Sequence, residues 1–184
     1  MNTIRKKNGF TLIEAVVTVA VAGILLSIAI PSFSKMIERN RISSATNEFM
    51  SAMMLARSEA VTRTIPTSIC ASDTGTSCNG ALNNYAKGWV IFSDCDADGV
   101  IDNTATTCDF DGDGTVDKDM VINVHNGFKK LLILGSGAAI DKFTYNVSGR
   151  PAGATSSFSV GRDSSTLKKK VSVALTGRLK HENL

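Results

Sequence analysis

At 184 residues, the chain has room for one anchor helix and one soluble domain of ordinary size. The formal charge of +3 is small, but nine acidic side chains and one basic fall within residues 94–119, and ten basic and three acidic within residues 120–184. Four cysteines, at 70, 78, 95 and 108, form no close pair, and the two histidines stand far off at 125 and 181, which argues against a zinc site.

The N-terminus is organised for a membrane. Arg5, Lys6 and Lys7 lead into Asn8-Gly9-Phe10-Thr11-Leu12-Ile13-Glu14, and an almost unbroken apolar run continues to Ile30. As a helix, Phe10–Ile30 spans roughly 30 Å, the hydrocarbon thickness of a bilayer. Glu14 is the odd member, because an ionised carboxylate inside a membrane costs about 2.5–3.5 kcal/mol or more on insertion scales. A cleaved secretory signal is a poor match, since Ala20-Val21-Ala22 lies in mid-run and apolar sequence continues past it.

Gly9-Phe10-Thr11-Leu12-Ile13-Glu14 resembles the processing site of type IV prepilins and of type II secretion pseudopilins. The resemblance implies that a prepilin peptidase cuts between Gly9 and Phe10, that Phe10 is N-methylated, and that the apolar helix stays on the mature protein. Cutting there removes three basic groups, brings the net charge to zero, and leaves an amine four residues from Glu14. In a filament, Glu14 then pairs with the Phe10 amine of a neighbouring subunit, offsetting two buried charges at once. The plainer alternative is an ordinary anchor carrying one stray acid.

Pro31 predicts a bend or break where the chain leaves the bilayer. Helical spacing then resumes: Ala45, Phe49, Ala52, Ala56 and Ala60 form one apolar face, widened by Met53, and the helix is expected to end near Thr64, ahead of Pro66. That stripe reads as core. Beyond Pro66, short apolar runs between Gly, Asn, Asp and Ser clusters predict strands at about 67–70, 88–92, 120–125, 130–134, 143–147, 157–160 and 170–175. In the last, Val171, Val173 and Leu175 alternate with polar or small residues, as in a sheet with one buried face.

The expected class is α+β: a long N-terminal α-helix, membrane-spanning in its first half, carrying an antiparallel β head. The segments are a leader at 1–9, an assembly helix at 10–30, its continuation into the head at 31–64, and the head at 65–184 with an acidic insertion at 94–119. A short basic N-terminus places the head outside the cytoplasm, where disulfides form. Four cysteines allow three pairings, of which Cys70 with Cys78 and Cys95 with Cys108 close the simplest loops.

Three further strings, 55–61 (Leu-Ala-Arg-Ser-Glu-Ala-Val), 88–94 (Gly-Trp-Val-Ile-Phe-Ser-Asp) and 148–151 (Ser-Gly-Arg-Pro), resemble the pilin subfamily that comprises FimT, FimU and GspH. The resemblance implies a type IV pilin-like β-sandwich head whose closing strand ends in Gly177-Arg178, and a minor component, not a shaft subunit. It implies a protein of the inner membrane with a periplasmic head that passes into the pilus. The implied partners are other pilin or pseudopilin subunits, the prepilin peptidase and the inner-membrane assembly machinery. A pseudopilin of the type II secretion system is the alternative.

The acidic insertion holds two similar loops fifteen residues apart. Asp94, Asp96 and Asp98 precede Gly99 in the first, with Asp102 beyond; Asp109, Asp111 and Asp113 precede Gly114 in the second, with Asp117 and Asp119 beyond. Acids at first, third and fifth positions with Gly at the sixth match the first half of a calcium loop, although both lack Glu at the twelfth. The second loop is the better match, because Asp119 stands one residue short of that position. No cofactor is required, and Ca²⁺ is the candidate ion; the alternative is a solvated acidic loop.

Lys168, Lys169, Lys170, Arg178 and Lys180 cluster near the C-terminus, the electrostatic footprint of a polyanion site. FimT-like pilins are linked to DNA binding through a C-terminal Gly-Arg-x-Arg motif, which this sequence resembles with Lys180 in place of the second Arg. DNA is therefore a candidate partner, bound without sequence preference; the alternative is a solubilising strand end. No nucleophile–base pairing and no complete dinucleotide fingerprint is legible, so an enzyme is not expected.

Overall fold

The computed structural model describes residues 10–79, 84–101, 108–109, 113–137, 141–162 and 166–184. The chain divides into two units, Met1–Asn40 and Arg41–Leu184.

A single helix, α1, covers Leu12–Arg63. It runs through Pro31 without interruption, where the sequence predicts a bend or break. Interior proline costs about 3 kcal/mol through its missing donor and its ring clash, and the helical segments on either side keep the element continuous in spite of it. Thr11 caps the start: its carbonyl accepts from Ala15 N–H at 3.2 Å and its Oγ1 from Glu14 N–H at 3.3 Å. Thr11 followed three residues later by Glu14 is the capping-box spacing, and the Thr11 hydroxyl satisfies one donor, Glu14 N–H, that a helix start otherwise leaves open.

In the second unit, the predicted stripe is buried: Ala45, Phe49, Met53, Ala56 and Ala60 are fully inaccessible, as is Thr46, whose hydroxyl returns to the Ile42 carbonyl. Small residues at three- and four-residue steps let the helix lie close to the sheets, and Phe49 fills the centre. Its ring meets Tyr85, Trp89 and Phe158 edge-on, with centroids 5.4, 5.4 and 4.9 Å away.

Eight strands follow: β1 Thr67–Ala71, β2 Gly88–Ser93, β3 Met120–Asn126, β4 Leu132–Gly137, β5 Lys142–Tyr145, β6 Ser156–Gly161, β7 Lys168–Val173 and β8 Leu179–Asn183. They form two antiparallel four-stranded sheets, ordered β3-β2-β1-β5 and β4-β6-β7-β8. Ile69, Trp89, Ile91, Phe143 and Tyr145 of the first sheet share one core with Ile133, Phe158, Val160, Val171 and Val173 of the second and with the α1 stripe.

Strands β1 and β2 are buried on both faces. Opposite the main core, Cys70, Val90 and Phe92 form a smaller cluster with Cys78 and Ile101. The Cys70–Cys78 disulfide fastens the segment after β1 there, and Cys95–Cys108 ties the acidic insertion. Both are the short-loop pairings.

The C-terminal end differs from the sequence reading. The strand expected at 170–175 is β7 and stops at Val173; Gly177 lies in the turn, and Leu179-Lys180 open an additional strand, β8, that pairs back along β7. Gly177-Arg178 thus begins a hairpin return and does not end the closing strand. Gly177 has φ +76°, and a Cβ there would sit 2.0 Å from the Gly149 carbonyl oxygen, so both conformation and space demand glycine.

Candidate functional site

In the first unit, the apolar segment is bare. Phe10, Leu12 and Ile13 are 75%, 83% and 67% exposed, and exposed apolar side chains continue through Ile30. The stretch reaches a mean hydropathy of 2.5 over 18 residues with none of that window buried. Polar side chains within it are answered internally: Thr18 donates to the Ala15 carbonyl at 2.8 Å and Ser27 to the Ile24 carbonyl at 2.7 Å. Such a helix suits a phase without water, because its hydroxyls need no outside partner. Glu14 is exposed on the first turn. A carboxylate there is favoured by the positive end of the helix dipole, and it is available to a neighbouring chain. Gly9 lies outside the described residues, and Phe10 stands at their edge.

The acidic insertion leaves β2 at Asp94. Its backbone N–H donates to the Pro66 carbonyl at 2.8 Å, and its carboxylate turns inward, fully buried. Oδ2 accepts from the Ser68 hydroxyl on β1 and, at 3.0 Å, from Gly99 N–H; Oδ1 is buried with no hydrogen-bond partner. Burial pushes this carboxyl up to about 6, the hydrogen bonds from Ser68 and Gly99 pull it back in part, and the Asp119 and Asp98 charges add to the rise. Asp96 Oδ1 accepts from Asp98 N–H at 3.2 Å, and Asp98 Oδ1 from Val100 N–H at 2.7 Å. One oxygen each from Asp94, Asp96 and Asp98 lie within 4.8 Å of one another.

The second loop repeats part of this pattern. Asp109 Oδ2 accepts from Gly114 N–H at 3.0 Å, and Asp113 Oδ1 from Thr115 N–H at 2.7 Å. Asp119 Oδ1 accepts from Cys95 N–H at 3.0 Å, and Asp117 N–H reaches the Cys108 carbonyl at 2.7 Å, so the disulfide and the backbone join the two loops. Asp102 and Asp111 lie outside the described residues. Among the described residues it is the first loop that gathers three carboxylates, although the sequence favours the second.

The basic residues divide between two faces. Lys169 shares the β7 face of Val171 and Val173, whereas Lys168 and Lys170 share the opposite face with Ser172. Lys180 pairs with Ser172 and Glu182 with Lys170 across β7 and β8. Lys170, Arg178 and Lys180, with Ser136, Ser157 and Ser172, line an open groove of about 720 Å³. Lys170 Nζ lies 4.0 Å from Glu182, which tempers the charge. The groove therefore gathers three of the five predicted cations.

His125 stacks on Trp89 with centroids 3.8 Å apart and planes 3° from parallel, and its Nε2 lies 3.2 Å from Glu48 Oε2. All four cysteines are bridged.

Against known proteins, the family model for type II transport protein GspH matches residues 45–177, most of the chain. The chain belongs to the GspH family. A second model, the prokaryotic N-terminal methylation motif, matches residues 4–30 of this GspH-family chain. Its fold is similar to that of the Pseudomonas aeruginosa type IV minor pilin FimU in two crystal forms. In one, 79% of this chain aligns with 90% of that chain at 22% identity and TM-score 0.56; in the other, 76% with 91% at 21% and 0.53. The minor pseudopilin EpsH of the Vibrio cholerae type 2 secretion system aligns over 77% of this chain and 95% of its own, at 10% identity and TM-score 0.45. No curated protein matches the sequence. Membership of the GspH family, together with the N-terminal methylation motif, makes the chain a membrane-anchored, pilin-type subunit that associates with other such subunits.

Proposed function

We propose that this chain is a minor type IV pilin, incorporated near the pilus tip, where it helps initiate assembly. The observation that carries the reading is the uncovered helix start: an apolar segment with nothing packed on it and Glu14 on its capped first turn. Before assembly the bilayer covers that segment; afterwards neighbouring helices do, and Glu14 meets the methylated amine of an adjacent subunit. Prepilin peptidase supplies that amine by cutting between Gly9 and Phe10 at the inner membrane. The fold shared with the minor pilin FimU over 90% of that chain is in keeping with a pilus subunit. The proposed role is structural.

The groove around Lys170, Arg178 and Lys180 supports a second role, contact with DNA phosphates without sequence readout. No aromatic residue lines the groove, so base stacking contributes nothing.

Deletion of the gene tests the main reading. Loss of surface pili with normal exoprotein export supports it; normal piliation with failed export replaces it with a type II secretion pseudopilin.

A further inference from the structure

We propose that the loop from Asp94 to Gly99 binds a calcium ion through Asp94, Asp96 and Asp98. This inference concerns the head alone and does not depend on the assembly role.

The buried carboxylate of Asp94 is the decisive feature. Both donors that reach it, Ser68 and Gly99, are taken by Oδ2. Oδ1 is left buried, with no donor among the described residues. A buried charge without a partner is costly, and Oδ1 is the Asp94 oxygen that no hydrogen bond occupies. A cation bound to Oδ1 removes the defect, and the exposed carboxylates of Asp96 and Asp98 complete three sides of it.

Spacing and charge both suit calcium. Two oxygens bound to one Ca²⁺ at about 2.3–2.6 Å stand at most about 5 Å apart, and the three carboxylates offer oxygens within 4.8 Å of one another. Lys142 Nζ already donates to the Asp98 carbonyl. Three carboxylates less one ammonium leave two negative charges, which a divalent ion neutralises. In loops of this type the seventh carbonyl, here Val100, and water supply further oxygens. The Cys95–Cys108 bridge and the bond from Cys95 N–H to Asp119 hold the loop base in place.

The test uses the full-length chain in non-ionic detergent with its disulfides intact, titrated with CaCl₂ by calorimetry and by thermal unfolding. Sodium chloride of equal ionic strength is the control for screening. Saturable heat and a rise in Tm are expected, with half-effect on the order of 10⁻⁴–10⁻³ M, the range of extracellular modules. The double variant Asp96→Asn/Asp98→Asn keeps the oxygens that accept from Asp98 and Val100 N–H, so the loop retains its turns. It should lose about tenfold or more in affinity, since each lost charge weakens a hard-ion site. Asp109→Asn/Asp113→Asn should change affinity by less than about threefold, because those residues stand outside the proposed ligand set. No heat and no Tm rise at about 10 mM CaCl₂, well above that range, would overturn the proposal. So would an unchanged response in the Asp96/Asp98 variant, or a response abolished by the Asp109/Asp113 variant alone.

Discussion

Arg57 on α1 donates from Nη2 to the carbonyl of Thr176, 3.0 Å away, joining the helix to the turn between β7 and β8. The same guanidinium crowds two glycines: a Cβ on Gly177 would lie 2.0 Å from the Gly149 carbonyl oxygen and 3.0 Å from Arg57 Nε, and one on Gly149 2.8 Å from Val61 Cγ2 and 3.1 Å from Arg57 Nε. Three separate strings of the sequence thus meet at one place. Arg57→Ala should lower stability by about 1–2 kcal/mol, the worth of a charge-assisted bond at an exposed site. Gly177→Ala should cost more, because it adds a positive-φ conflict to the clash with the Gly149 carbonyl. Denaturant unfolding of the detergent-solubilised chain measures both.

Phe49 anchors the core of the second unit. Phe49→Ala should destabilise that unit by about 3–5 kcal/mol, as aromatic truncations in packed cores do. Near-ultraviolet circular dichroism of the Tyr85 and Trp89 signals, followed against temperature, reads the loss directly.

Reduction of Cys95–Cys108 frees a loop of sequence separation 13. Closing a loop of that size is worth about 3 kcal/mol in the chain-entropy account. Cys95→Ser/Cys108→Ser should therefore lower Tm by several degrees at neutral pH. The same variant should bind CaCl₂ more weakly than the oxidised chain, because the ion must then order the loop itself.

In the basic groove, Arg178→Ala/Lys180→Ala should weaken duplex DNA binding about equally for unrelated sequences. For every phosphate that is no longer neutralised, the slope of log affinity against log salt should fall by about one. Unchanged affinity and slope would reject this groove as the site. Lys169, on the opposite face of β7, serves as the internal comparison, and Lys169→Ala should have the smaller effect.

Much of this architecture was readable from periodicity. The α1 stripe repeats Ala and Phe at three- and four-residue steps, and β1 to β3 are bounded by proline, glycine and acidic clusters, so local chemistry marks their limits. Strand β8 was not readable. Leu-Lys-His-Glu-Asn has one apolar residue and no alternation, and it is a strand because β7 offers it an edge. The turn signal was Gly177, whose role depends on Gly149 lying beside it. Likewise the burial of Asp94 was not readable, because it depends on Ser68, 26 residues away in sequence, receiving that carboxylate inside the fold. The capping-box spacing of Thr11 and Glu14 was present in the sequence within the processing string, and Thr11 Oγ1 accepts from Glu14 N–H at the start of α1.

The central claim is that Glu14 recruits the subunit into filaments. Its most direct test is the amount of Glu14→Val protein in sheared pili, relative to the amount in the membrane. Normal membrane insertion and normal cleavage between Gly9 and Phe10 are expected, with the variant depleted at least about tenfold from pili, since an unpaired buried amine costs several kcal/mol. Wild-type levels of Glu14→Val in the sheared filaments would contradict it.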